Sequence, residues 1–209
     1  MKTIVFQGDS ITDAGRNRED PFNLGQGYPN LVAGRLGLTH PGQYQFLNRG
    51  VSGDRVVDIY ARMKRDILNL QPDFLSILVG VNDVWHELDF GNGVSAPRYK
   101  KVYRMLLEEI REALPDTKLL LMEPFVLRGT ATEGSLDWFT REVAARAQAV
   151  RELAEELEIP FLPLQDSLNA LTASAPESWW LADGVHPTVF FHQFIADQWI
   201  KAFEAAENQ

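Results

Sequence analysis

The chain contains no cysteine. Disulfides, iron–sulfur clusters, thiolate zinc sites and a cysteine nucleophile are therefore excluded. Histidine is scarce, with only His40, His86, His186 and His192. A metal site built from imidazoles would consume most of them, and neither metal nor organic cofactor is expected. Basic residues are outnumbered, 20 against 29 acidic, for a net charge of −9. A field of that sign opposes phosphate backbones and anionic membranes, so no nucleic-acid or membrane partner is expected. It leaves neutral substrates such as sugars open. No apolar run approaches the ~18 residues of a membrane span. Met1-Lys2 leads into Thr3-Ile4-Val5-Phe6, too short a stretch for a signal core, and no small-residue cleavage site follows. No Asn-x-Ser/Thr acceptor occurs. These absences together predict a soluble, cytoplasmic protein.

What is present is an ordinary globular composition, 45% hydrophobic and 23% charged over 209 residues. Without a repeat, a low-complexity tract or a linker-like shift in composition, residues 1–209 are expected to form one domain. Short apolar runs at Thr3 to Gln7, Gln43 to Asn48, Asp73 to Val79, Lys118 to Glu123 and Ile159 to Leu162 predict strands. Between them, apolar residues recur every three or four positions: Val56 to Leu70, Tyr99 to Leu114 and Val143 to Leu157. A last helix follows Pro187, which suits a first helical position, and carries Phe190, Phe194, Ile195, Trp199 and Phe203. Its apolar residues exceed one stripe, a hint of a homo-oligomer surface. Buried strands alternating with helices predict an α/β class, a three-layer α/β/α sandwich around a five-stranded parallel sheet.

In such sheets, ligands bind beyond the carboxyl ends of the strands. The residues there read Gly8-Asp9-Ser10-Ile11-Thr12, Asn48-Arg49-Gly50-Val51-Ser52-Gly53-Asp54 and Gly80-Val81-Asn82-Asp83, with Asp183-Gly184-Val185-His186-Pro187 near the C-terminus. Ser10 fits a helix N-cap as well as a nucleophile. A serine nucleophile needs a base, and the base an orienting acid. His186 and Asp183 offer both from one loop, where Pro187 disfavours helical geometry at His186. Acyl transfer also needs donors for an oxyanion. The Ser10 and Gly53 backbone N–H groups and the Asn82 amide could supply them. Each position has a plainer role open to it: a turn before a helix capped by Asp54 for Gly53, an Asx-turn for Asn82. Asp9 and Asp13 read as helix-start carboxylates, with Asp9 able to stiffen the nucleophile loop. His192 reads as a packing or surface residue. Trp85 and Trp180 lie near the motif loops and could stack on sugar rings or pack in the core.

These four blocks, in this order, resemble those of the SGNH (GDSL-type) hydrolases. The resemblance runs from residue 8 to 187. It implies a flavodoxin-like fold, Ser10 as nucleophile, His186 as base, Asp183 as its orienter, and Ser10, Gly53 and Asn82 as oxyanion donors. Gly80 to Trp85 and Thr12-Asp13-x-Gly15-Arg16 are similar to a subgroup of bacterial acetylxylan esterases, although Ala182 stands before Asp183 where that subgroup carries tryptophan. The resemblance thus implies removal of acetyl groups from carbohydrate, on a small-molecule or oligosaccharide ester. Acyl lipids or thioesters would suit the same chemistry, and a non-catalytic sugar-binding module the same fold. Competing signatures fail: Gly-x-Ser-x-Gly and Walker A patterns are missing, and Gly91-x-Gly93-x-x-Ala96 lies in a loop well past its strand.

Overall fold

All five apolar runs become strands. The computed structural model describes residues 1–207. In chain order the elements are β1 (Lys2–Gly8), α1 (Ser10–Asp13), α2 (Tyr28–Thr39), β2 (Tyr44–Asn48), α3 (Val56–Asp66), β3 (Phe74–Leu78), α4 (Val81–Phe90), α5 (Ala96–Ala113), β4 (Lys118–Met122), α6 (Leu136–Glu156), β5 (Phe161–Leu162), α7 (Gln165–Leu171), α8 (Glu177–Trp180) and α9 (Val189–Glu207). The strands pair in parallel in the order β2-β1-β3-β4-β5.

The period of two along each strand divides the interior into two cores. Ile4, Phe6, Phe74, Leu78, Leu120 and Met122 face one side. There they meet Tyr28, Val32 and Leu36 of α2 and Phe191, Ile195, Trp199 and Phe203 of α9. Val5, Leu75, Ile77, Leu119 and Leu121 face the other. They are covered by Val56 and Ile59 of α3, Tyr99, Tyr103 and Leu106 of α5, and Val150 and Leu153 of α6. This is the expected sandwich, since a parallel sheet must bury both faces.

Local chemistry moves several boundaries. β5 shortens to its last two expected residues, preceded by Pro160, which has no N–H to donate. α6 starts at Leu136, well before its apolar period becomes regular at Val143. The short α7 and α8 escape the periodicity, and so do two longer helices. α2 contains Gly34 and Gly37, which dilute its stripe, and α4 reads as a motif loop. The cap of α3 is Arg55, whose N–H donates to the Asp58 carboxylate at 2.9 Å, so Asp54 does not cap this helix. α9 does not begin at Pro187. Leu181 and Pro187 form an antiparallel bridge instead. The surplus aromatics of α9 find partners within the chain: Phe194 stacks on Phe191, and the half-exposed Phe190 stacks on Trp179 at 4.3 Å.

Candidate active site

The order β2-β1-β3 places the loops after these three strands side by side, where the direction of winding reverses. Ser10 follows β1, Gly53 lies beyond β2, and Asn82 stands in the first turn of α4, just past β3. Asp9 caps α1, its carboxylate accepting the Ile11 N–H at 3.0 Å. That fixes the turn from which Ser10 projects. Asp13 reaches farther than a helix-start residue need do. Its carboxylate accepts both the N–H and the hydroxyl of Ser52, at 3.0 and 3.1 Å, and pairs with Arg18. The Ser10 turn is thereby tied to the residue before Gly53. Gly53 has φ +89°, a backbone state that favours glycine. Asn82 Nδ2 donates to the Asp54 carbonyl at 3.2 Å, which links the third loop to the second and leaves one amide hydrogen free.

The bridge between Leu181 and Pro187 closes a loop over this cluster. Ala182 N–H donates to the His186 carbonyl at 2.8 Å, and Thr188 N–H to that of Trp180 at 2.9 Å. At its tip Gly184 has φ +97°, and a Cβ there would meet the Leu127 carbonyl at 2.7 Å. The loop brings Asp183 and His186 together. Asp183 Oδ1 accepts the Val185 and His186 N–H groups at 2.9 and 2.8 Å, and Oδ2 lies 2.7 Å from His186 Nδ1. His186 Nε2 lies 2.9 Å from Ser10 Oγ. A neutral imidazole with its proton on Nδ1 satisfies both contacts and leaves a lone pair facing the serine.

Electrostatics follow from these contacts. Burial pushes the Asp183 carboxyl up, but the His186 side chain and two backbone N–H groups outweigh it and bring the group down to about 2. The Asp183 hydrogen bond raises His186 against its own desolvation. Desolvation holds the wholly buried Asp9 up at about 7. A raised histidine is stabilised as imidazolium in the folded state. That contribution is complete below the unfolded value of ~6.5 and fades as pH rises through the folded one. Catalysis by a neutral base has the opposite slope. Activity should therefore rise with pH to a plateau, with its half-point above ~6.5. A kcat/KM profile that is flat or falling between pH 6 and 8 would contradict this.

An open cavity of about 550 Å³ adjoins Ser10 and His186, walled further by Gln26, Ser52, Val189 and His192. It falls within the range of small-molecule sites. The Trp85 ring stands 6.0 Å from that of His186 and edge-on to Phe139. Trp180 packs against the core, its Nε1 buried without a partner. Trp179 is exposed and Trp180 half-buried. Among the described residues, no three His, Asp or Glu side chains converge so as to hold a metal ion. No helix there is long and apolar enough to cross a membrane.

A model of the GDSL-like lipase/acylhydrolase family matches residues 6–194, which include every position just described. The chain belongs to this family. It is a carboxylic ester hydrolase of the SGNH type. An acetylxylan esterase from Geobacillus stearothermophilus is 31% identical over 207 residues, 95% of this chain and 92% of that one. Its crystal structure superposes with a TM-score of 0.84 at 30% identity, covering 96% of this chain and 93% of the other. A protein from Parabacteroides merdae described as a GDSL-like lipase superposes with a TM-score of 0.91 at 38% identity, covering 96% and 94%. Structures of the Geobacillus enzyme include catalytic mutants at a serine, an aspartate and a histidine. The last two are three positions apart, as are Asp183 and His186. A tryptophan immediately precedes that aspartate, whereas Ala182 stands here.

Proposed function

We propose that this esterase removes acetyl groups from xylo-oligosaccharides through a Ser10–His186–Asp183 triad. The observation that carries the proposal is the continuous relay from Ser10 Oγ through the imidazole to the Asp183 carboxylate, at 2.9 and 2.7 Å. Ser10 Oγ attacks the ester carbonyl as His186 Nε2 takes its proton. Asp183 holds the ring in the productive tautomer and stabilises the imidazolium. The oxyanion is received by the N–H groups of Ser10 and Gly53 and the free amide hydrogen of Asn82. As the tetrahedral intermediate collapses, His186 protonates the departing sugar oxygen. Water, deprotonated by the same imidazole, then releases acetate from Ser10.

The substrate assignment draws on the likeness to the Geobacillus acetylxylan esterase. It draws also on the cavity wall, which sets the polar groups of Gln26, Ser52 and His192 beside the small Ala14 and Gly15 and the apolar Ile11, Pro187 and Val189. Such a wall suits a polyhydroxylated alcohol. Trp85, whose ring lies 6.0 Å from that of His186, is the ring assigned to the sugar, while the buried Nε1 of Trp180 speaks for a packing role there. An apolar groove would gain ~0.8 kcal/mol for each buried CH₂ of the acyl chain, so rates on such a groove should climb with chain length. The opposite is expected here. Aryl acetate should be cleaved faster than butyrate and octanoate scarcely at all, with acetate released from acetylated xylo-oligosaccharides. A steady rise from acetate to octanoate would replace this substrate with acyl lipids or thioesters.

A further inference from the structure

His192 belongs to no part of this relay, yet it faces the same cavity as Ser10 and His186. It is carried by α9 and is only 7% exposed. Its Nδ1 accepts the Tyr28 backbone N–H at 3.2 Å. Tyr28 opens α2, with Gly27 as the cap. This N–H is one that the helix cannot use internally, and it lies at the positive end of the helix dipole. An imidazolium has no lone pair with which to accept that bond. The ring is therefore neutral and carries its proton on Nε2. Burial, reinforced by the charge of His186, brings its ionisation down to about 4, in the same sense. The ring is also fixed in place. It stacks on Tyr28 at 6.5 Å, and a Cβ on Gly27 would meet its Cε1 at 2.9 Å. Among the described residues the Tyr28 contact is the only hydrogen bond of this side chain. Nε2–H is a rigid, neutral donor at the wall of the reaction cavity, open to whatever fills it.

We propose that His192 is a substrate-recognition residue whose Nε2–H donates to an oxygen of the alcohol half of the ester, a hydroxyl or ring oxygen of the sugar. The proposal rests on the sugar-acetate reading above. The alcohol half is chosen because the cavity wall holds Ser10, His186 and His192 but neither Gly53 nor Asn82, the groups assigned to the acyl oxygen. A neutral donor also suits an uncharged ligand, and it adds no positive charge beside the imidazolium that His186 must form in each transition state.

Two esters with the same acyl group isolate the alcohol half: acetylated xylobiose and 4-nitrophenyl acetate, which offers no hydroxyl. His192→Phe keeps a planar ring and loses both hydrogen bonds. His192→Gln can keep both through its amide. In His192→Phe the ratio of kcat/KM on the sugar acetate to that on the aryl acetate should fall about 3- to 10-fold, the worth of one neutral hydrogen bond. The fall should lie mostly in KM, and His192→Gln should recover most of it. An unchanged ratio would overturn the proposal, because loss of packing between α2 and α9 would lower both substrates alike. Unesterified xylobiose titrated into Ser10→Ala gives a readout without a new variant at position 192. The ¹⁵N resonance of His192 Nε2 should move on binding, and a saturating titration that leaves it in place would also overturn the assignment. A wild-type enzyme that cleaves the aryl acetate but not acetylated xylobiose would refute the sugar reading itself, and this role with it.

Discussion

Replacing Ser10 by alanine should abolish nearly all ester turnover while leaving the fold intact. The hydroxyl makes one side-chain hydrogen bond, to His186, at the partly open mouth of a cavity, so little packing depends on it. The turn that presents it is held by Asp9 and by the backbone, neither of which the substitution touches. What remains should be the contribution of the oxyanion donors and binding alone, at most ~10³–10⁴-fold over water. Thermal unfolding and far-UV spectra should match wild type. A serine-directed phosphonate should label Ser10 and inactivate in proportion. Labelling at Ser52, which shares the cavity wall, would mean that the nucleophile has been misassigned.

Asp183→Asn should lower kcat by about 10⁴-fold with little effect on KM. The carboxylate now accepts three hydrogens, from Val185 N, His186 N and His186 Nδ1. The amide oxygen can keep the two backbone bonds, and the loop should stay closed. The amide NH₂ must then face Nδ1, which it can satisfy only as a donor. That forces the imidazole proton onto Nε2, where it blocks acceptance from Ser10. Because Asp183 is what raises the His186 ionisation, the residual activity should also titrate at lower pH than wild type. A loss of tenfold or less, or one confined to KM, would remove Asp183 from the relay. Asp183→Ala would be a poorer experiment, since it orphans the Val185 and His186 N–H groups and loosens the loop as well.

Much of the architecture is legible from local pattern because the physics there is local. The alternation of Ile4 and Phe6 against Val5, or of Leu120 against Leu119 and Leu121, requires a strand covered on both faces. α2 and α4 are not legible in this way. The first is diluted by Gly34 and Gly37, and the second is occupied by Asn82 and Asp83 at positions that a plain amphipathic helix would give to other residues. The register of Val5 on Leu47 and Leu75, which aligns the three motif loops, follows from both cores at once and from no single segment.

Composition and motif order alone were enough to exclude thiol and disulfide chemistry, to specify a doubly covered parallel sheet, and to single out Ser10, Gly53, Asn82, Asp183 and His186. Those properties depend on residue type and on spacing along the chain. Tertiary structure alone decided the rest. Sequence cannot show that a bridge between Leu181 and Pro187 turns Asp183 and His186 over β1, nor that Asp13 holds Ser52 across two loops. It cannot show that Trp85 rather than Trp180 approaches His186. Least of all can it show that the first N–H of α2 fixes the proton of His192. Each of these is a contact between segments far apart in the chain. Its existence depends on how two cores are filled simultaneously, and residue spacing carries no record of that.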